Sequence, residues 1–160
     1  MEFKVVKMDI PEGCNIILGQ THFIKTAEDL YEILATSSCG IKFGVAFCEA
    51  SGPCLVRAEG NDDELKKVAI KNASALSCGH VFVILLKDAF PINLLNQVKM
   101  CPEVCSIFCA TANPVQVIIG ETDQGRAVLG VVDGFSSRGV EKEDDIKARK
   151  KLLRDIGYKL

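Results

Sequence analysis

Val81-Phe82-Val83-Ile84-Leu85-Leu86 decides how this chain folds. The run has no polar alternation, is rich in β-branched residues and is short for a helix, so it reads as a strand buried on both faces. On its near side Gly79 marks a left-handed stop to a preceding helix. On its far side Pro91 opens a short helix through about Lys99, since proline suits a first helical turn.

Upstream, Asn61 reads as the cap of that preceding helix, with Glu64 completing a capping box and Leu65, Val68, Ala69, Ala73 and Leu76 facing a core. Before it, Lys42 to Glu49 and Cys54 to Glu59 flank Ala50-Ser51-Gly52-Pro53, the pattern of a hairpin. An earlier helix takes Thr26 as its N-cap with Asp29 three residues on, carries Ala27, Leu30, Tyr31 and Leu34 at helical spacing, and ends at Ser37-Ser38-Cys39-Gly40. Two strand-like runs, Phe3 to Ile10 and Asn15 to Gly19, open the chain. Downstream lie three strands, Val104 to Ala110, Val115 to Glu121 and Arg126 to Val132, then a charged helix from Lys142 to Ile156 closed by Gly157.

The order is β-β-α-β-β-α-β-α-β-β-β-α. Strict βαβ alternation is missing, and neither G-x-G-x-x-G nor G-x-x-x-x-G-K-[ST] occurs. These features predict an α+β fold: one domain over residues 1–160, a mixed β-sheet packed with helices, not a Rossmann or P-loop fold. With 48% hydrophobic and 25% charged residues the chain reads as compact rather than disordered. A net charge of -2 gives no global field for nucleic acid or an anionic membrane. No segment approaches about 18 uninterrupted apolar residues, and the N-terminus has no signal-peptide core, so a cytoplasmic protein is expected. The one dense basic run, Lys147 to Arg154, follows Glu141, Glu143, Asp144 and Asp145; acids early and bases late complement a helix dipole, and no nucleic-acid partner is expected.

Eight cysteines occur, with no C-x-x-C pair and no histidine-rich partner set. They are expected to be buried or half-buried free thiols acting as small apolar side chains, a disulfide or a metal being the alternatives. No metal site is expected and no cofactor is fixed.

Only two histidines are present. His22 lies between a strand end and a helix start, where free backbone N–H groups and the helix dipole would favour an anion, with Lys25 adding charge; a loop histidine bonded to backbone is the alternative. His80 precedes the buried strand, either as a base or phosphoryl acceptor at a sheet edge or as a core histidine satisfied by a carbonyl. Lys87 could neutralise phosphate and Asn93 read a base or ribose at the same strand's other end. Glu49 and Ser51 form a polar cluster after an apolar run, and Asn113 precedes a proline in turn chemistry. The loop holding Asp133 and Phe135 combines an acid, an aromatic, hydroxyls and a cation, as binding loops do.

The chain resembles the adenosine-specific kinase family over essentially its whole length. The resemblance rests on Gly19-Gln20-Thr21-His22-Phe23, on Lys42 to Gly52, on Val56-Arg57 with Gly60-Asn61-Asp62, and on Gly79-His80-Val81-Phe82. It continues through Ala89 to Asn93, Phe108 to Pro114, Glu121 to Arg126 and Leu129 to Gly134. It implies binding of adenosine and AMP, a histidine that holds a stable phosphate, and a homotrimer. The phosphotransferase expectation built on it moves a phosphoryl group between a histidine and the 5′ oxygen of adenosine. Lys25, Lys87 or Arg57 would screen charge, and Glu49 or Asp133 would orient ribose. The helix-terminus argument favours His22 as carrier; the phosphate donor is left open. The rival readings are a non-catalytic adenosine or AMP sensor and a trimeric structural protein.

Overall fold

The computed structural model describes residues 1–160, and its elements follow the expected order. They are β1 (Glu2–Lys7), β2 (Asn15–Thr21), α1 (Thr26–Ser37), β3 (Lys42–Cys48), β4 (Val56–Gly60), α2 (Asp63–Leu76) and β5 (Val81–Lys87). Then come α3 (Leu95–Met100), β6 (Val104–Thr111), β7 (Val115–Glu121), β8 (Arg126–Asp133) and α4 (Glu143–Asp155). The strands divide into a five-stranded sheet, β4-β3-β5-β2-β6, and a three-stranded sheet, β1-β7-β8. The named strands all pair antiparallel, and the parallel contact is an isolated bridge between Cys78 and Arg126. The α+β class stands, built from two sheets.

Burial explains the division. In β5 every residue from Val81 to Leu86 is buried, as the central strand of a sheet covered on both faces requires. In β7, buried Val115, Val117 and Ile119 alternate with half-buried Gln116 and Ile118, the pattern of a strand with one covered face. One face of the large sheet packs Ile16, Leu18, Val83 and Leu85 against α2 and the inner face of the small sheet. The other packs Phe43, Phe47, Phe82 and Ile84 against α1 and α3. Each of those aromatics is fully buried and stabilises the fold by about 1.5–3 kcal/mol.

α2 sits close because Gly44 lets it. A Cβ at Gly44 would lie 2.4 Å from the backbone of Leu65 and Lys66. Leu65, Ala69, Ala73 and Leu76 form the buried stripe, with Val68 half-buried beside them.

Four local expectations change. The α2 cap is Asp62, which accepts from Leu65 N–H at 3.0 Å; Asn61 instead ties down β3, accepting from Phe43 N–H and donating to the Ile41 carbonyl. A residue earlier, the carboxamide finds a neighbouring strand's backbone before it finds the helix. The left-handed stop falls on Ser77 (φ 50°) rather than Gly79. Thr26 is the first helical residue of α1 rather than its cap, and its Oγ1 donates to the Phe23 carbonyl at 2.5 Å. Pro91 opens a 3-10 turn, Pro91–Asn93, and a non-helical Leu94 (φ -141°, ψ -9°) separates it from α3.

Candidate functional site

Antiparallel pairing gathers the strand ends into two poles. The end of β2, the end of β3, the starts of β4 and β5 and the start of β6 meet at one pole. Asn15, Lys42, Lys87 and Thr111 mark the other, about 20 Å away along a seven-residue strand. Of the side chains singled out in the sequence, His22, Lys25, Glu49, Ser51, Arg57 and His80 come together at the first, which we call the histidine pole. Lys87, Asn93, Asn113, Asp133 and Phe135 lie at the far pole and do not join them.

His80 is the most constrained residue of the histidine pole. Its φ of 62° is left-handed, a region that few non-glycine residues occupy, histidine more often than most. Its N–H donates to the Cys48 carbonyl at 2.8 Å, and its carbonyl accepts from Thr21 N–H at 2.9 Å, so both flanking strands clamp it. The imidazole stacks on Phe47, with ring centroids 5.8 Å apart. Arg57 is the register partner of Phe47 on β4 and shares its face of the sheet. The Arg57 guanidinium donates to Glu49 Oε2 at 3.0 Å. Its Nε is the one buried side-chain nitrogen or oxygen in the chain with no hydrogen-bond partner. The Glu49 carboxyl is held below its ordinary range, first by the Leu55 N–H and then by Arg57.

Glu49 also lines a cavity of about 550 Å³ between the β3–β4 loop, the turn before β5 and the β7–β8 turn. Ser77, Thr122, Gln124 and Arg126 complete its polar wall, and Glu49 joins it to the neighbouring Arg57; Arg57 and His80 do not themselves line it. The volume is that of a small-ligand site. The cavity's buried thiols, Cys48 and Cys78, are pushed by burial up to about 11, so they stay protonated at neutral pH and are poor nucleophiles.

His22 is exposed and stacks on Phe23. The first N–H groups of α1 are already taken by the carbonyls of Phe23, Ile24 and Lys25, so no open helix-terminal anion site faces it. Lys25 is also committed: its ammonium bonds Asp29 and, at 3.0 Å, the buried carboxylate of Glu103. Burial works to raise the Glu103 carboxyl, but hydrogen bonds from Cys101 and Lys25 outweigh it and hold it near about 2. Asp29, Cys101 and Glu103 bring their ligand atoms within 4.8 Å of one another, a set able to hold a metal, and here Lys25 supplies the positive charge. Ser51 is an exposed turn residue whose carbonyl accepts from Cys54 N–H.

At the far pole, Lys87 is exposed, Asn93 accepts from Phe90 N–H, and Asn113 donates to Asp133 at 3.0 Å. Phe135 stands 82% exposed. All eight cysteines are free; Cys14, Cys48, Cys78 and Cys101 are buried and Cys109 half-buried, whereas Cys39, Cys54 and Cys105 are exposed, against expectation, because loops and an edge strand carry them.

Sequence reasoning missed Arg126, Thr122 and Gly125 as cavity residues, although they fall in a stretch that carries the resemblance. It also missed Glu103, whose partner Lys25 is 78 positions away. No local pattern marks such a pair.

The profile of a family described as adenosine specific kinase matches residues 6–159. No curated protein matches the chain. Among solved structures, the crystal structure of PH1918 protein from Pyrococcus horikoshii OT3 is 48% identical, with a TM-score of 0.96 over 99% of this chain and 98% of that one.

Proposed function

The chain belongs to the adenosine-specific kinase family, and on that premise we propose that the histidine pole binds adenosine and AMP and passes a phosphoryl group through His80. The observation that carries the reading is the pairing of a clamped, left-handed His80 with an arginine whose Nε–H lacks a partner, both beside the Phe47 ring. A buried donor left unsatisfied costs free energy, and the exposed part of the same guanidinium is open to a phosphate oxygen.

In this reading the nucleoside occupies the cavity, and the free Oε1 of Glu49 accepts from a ribose hydroxyl. A carboxylate held below its ordinary range accepts hydrogen bonds readily and protons poorly, so Glu49 orients rather than deprotonates. The P–N bond to imidazole breaks as the P–O bond to the 5′ oxygen forms, and the hydroxyl proton ends on the ring nitrogen that the phosphoryl group leaves. Arg57 balances the charge. Lys25 is spent on Asp29 and Glu103, which is why the reading prefers His80 to His22. Acid-labile phosphate should disappear in His80→Gln and persist in His22→Gln. Label lost only with His22 removes the assignment, and adenosine binding without AMP formation leaves a sensor.

A homotrimer belongs to the same proposal. α4 has no buried residue, yet Ile146, Leu153 and Ile156 fall along one side of it, and a 13-residue helix is marginal alone in water. The small sheet exposes Phe3, Val5 and Leu129. Further copies of the chain would cover both. Light scattering should give three times the chain mass, and truncation before Glu143 should lower it; an unchanged trimer would exclude α4 from the contact. Eight free thiols favour a cytoplasmic setting.

A further inference from the structure

Five polar or charged residues are buried: Asn15, Thr21, Thr26, Asn72 and Glu103. Four have their side-chain groups bonded within the chain. Thr21 and Thr26 donate to carbonyls, Glu103 accepts from Lys25 and Cys101, and Asn72 both accepts from Asp9 N–H and donates to the Asp9 carbonyl. Asn15 is the exception. It is 6% exposed, its carboxamide makes no hydrogen bond within the chain, and, unlike Arg57 Nε, that amide is not sealed off but opens to the solvent side. It lines a cavity of about 390 Å³ at the far pole, between the β1–β2 loop, Phe90 and the β6–β7 turn.

The remaining wall shows what would satisfy that amide. Met8, Ile10, Pro11 and Pro114 are apolar, and Phe90, 59% exposed, offers an aromatic surface. Glu12 contributes a carboxylate, and Asn113 holds that of Asp133 beside the rim. No lysine or arginine lines it. A phosphate would meet acids and no cation there. A flat, uncharged ring with adjacent donor and acceptor would meet an apolar wall, a stacking surface and a carboxamide able to pair with both.

We propose that this far-pole cavity is a second ligand site, separate from the histidine pole, that takes an uncharged purine base through Asn15 and Phe90. The site discriminates by charge: the histidine pole takes phosphate-bearing ligands and the far pole excludes them.

The test is a titration of ¹⁵N-labelled protein with adenine, read at the Asn15 side-chain amide. Adenine should shift that signal and AMP should not displace it. Phe90→Ala, an exposed change that leaves the core intact, should weaken adenine binding roughly tenfold through lost stacking. Asn15→Leu, matched in size, should abolish it, while Arg57→Ala should leave it unchanged. An unmoved Asn15 signal, or adenine bound equally by wild type, Phe90→Ala and Asn15→Leu, overturns the proposal. Failure of phosphate to reach His80 alters none of these readings, so the two sites stand or fall separately.

Discussion

The two ends of the five-stranded sheet share the same strands and differ in how they treat polar groups. At the histidine pole most charges are committed inside the chain: Glu49 with Arg57, and Lys25 with Asp29 and Glu103. What is left over is one guanidinium N–H and one imidazole carried on a left-handed backbone. At the far pole the leftover group is a neutral amide in a cavity without cations. Uncommitted groups mark where a ligand is wanted, and their charge says which kind. A residue's presence at a pole matters less than whether the fold has already spent it.

Arg57→Ala should produce the largest separation between the poles. If the exposed part of its guanidinium and its charge serve a phosphate, AMP affinity should fall by roughly 10- to 100-fold, the range for hydrogen bonds to charged groups. Adenosine, which lacks the phosphate, should lose no more than about threefold. Calorimetric titration of both ligands gives the ratio. Equal losses would show that Arg57 supports Glu49 and the β3–β4 packing instead, and the phosphate assignment would fail.

The element order was legible because β5 is apolar throughout and α2 carries its stripe at helical spacing. Those patterns record burial, which periodicity reports directly. The split into two sheets was not legible, since β7 and β2 look alike as apolar runs while pairing with different partners. His80 was visible as a candidate, but its left-handed backbone was not; Gly79 beside it drew the turn assignment. The likeness to the family gathered residues from both poles into one imagined site, because order in a sequence carries no information about which end of a strand a loop occupies. Asn15 gave no signal at all: it simply opened a strand-like run, and its uncommitted carboxamide shows only once the partners of the other buried polar residues are known.

Acid offers a finer way to set the poles apart. Glu103 anchors the histidine pole, since its carbonyl accepts His22 N–H at 3.1 Å and its carboxylate holds Lys25 and Cys101. Its carboxyl is lowered from 4.5 to about 2 on folding. A lowered carboxyl contributes stability that is fully present above the unfolded value and is lost as pH falls through the folded one. The window therefore runs from about 4.5 down to about 2. Within it, hydrogen exchange at His22 N–H should quicken before exchange at Cys14 N–H, which is bonded to the Pro11 carbonyl at the far pole. In Glu103→Gln the carboxyl is gone, so the thermal midpoint should start lower at neutral pH and fall less steeply across that window. Lys25 does not confuse the reading, because its raised value keeps it charged throughout the acid range. Parallel acid profiles for wild type and Glu103→Gln would mean that the Lys25–Glu103–Cys101 cluster contributes nothing titratable to the histidine pole, and that His80 is held by its main-chain clamps alone.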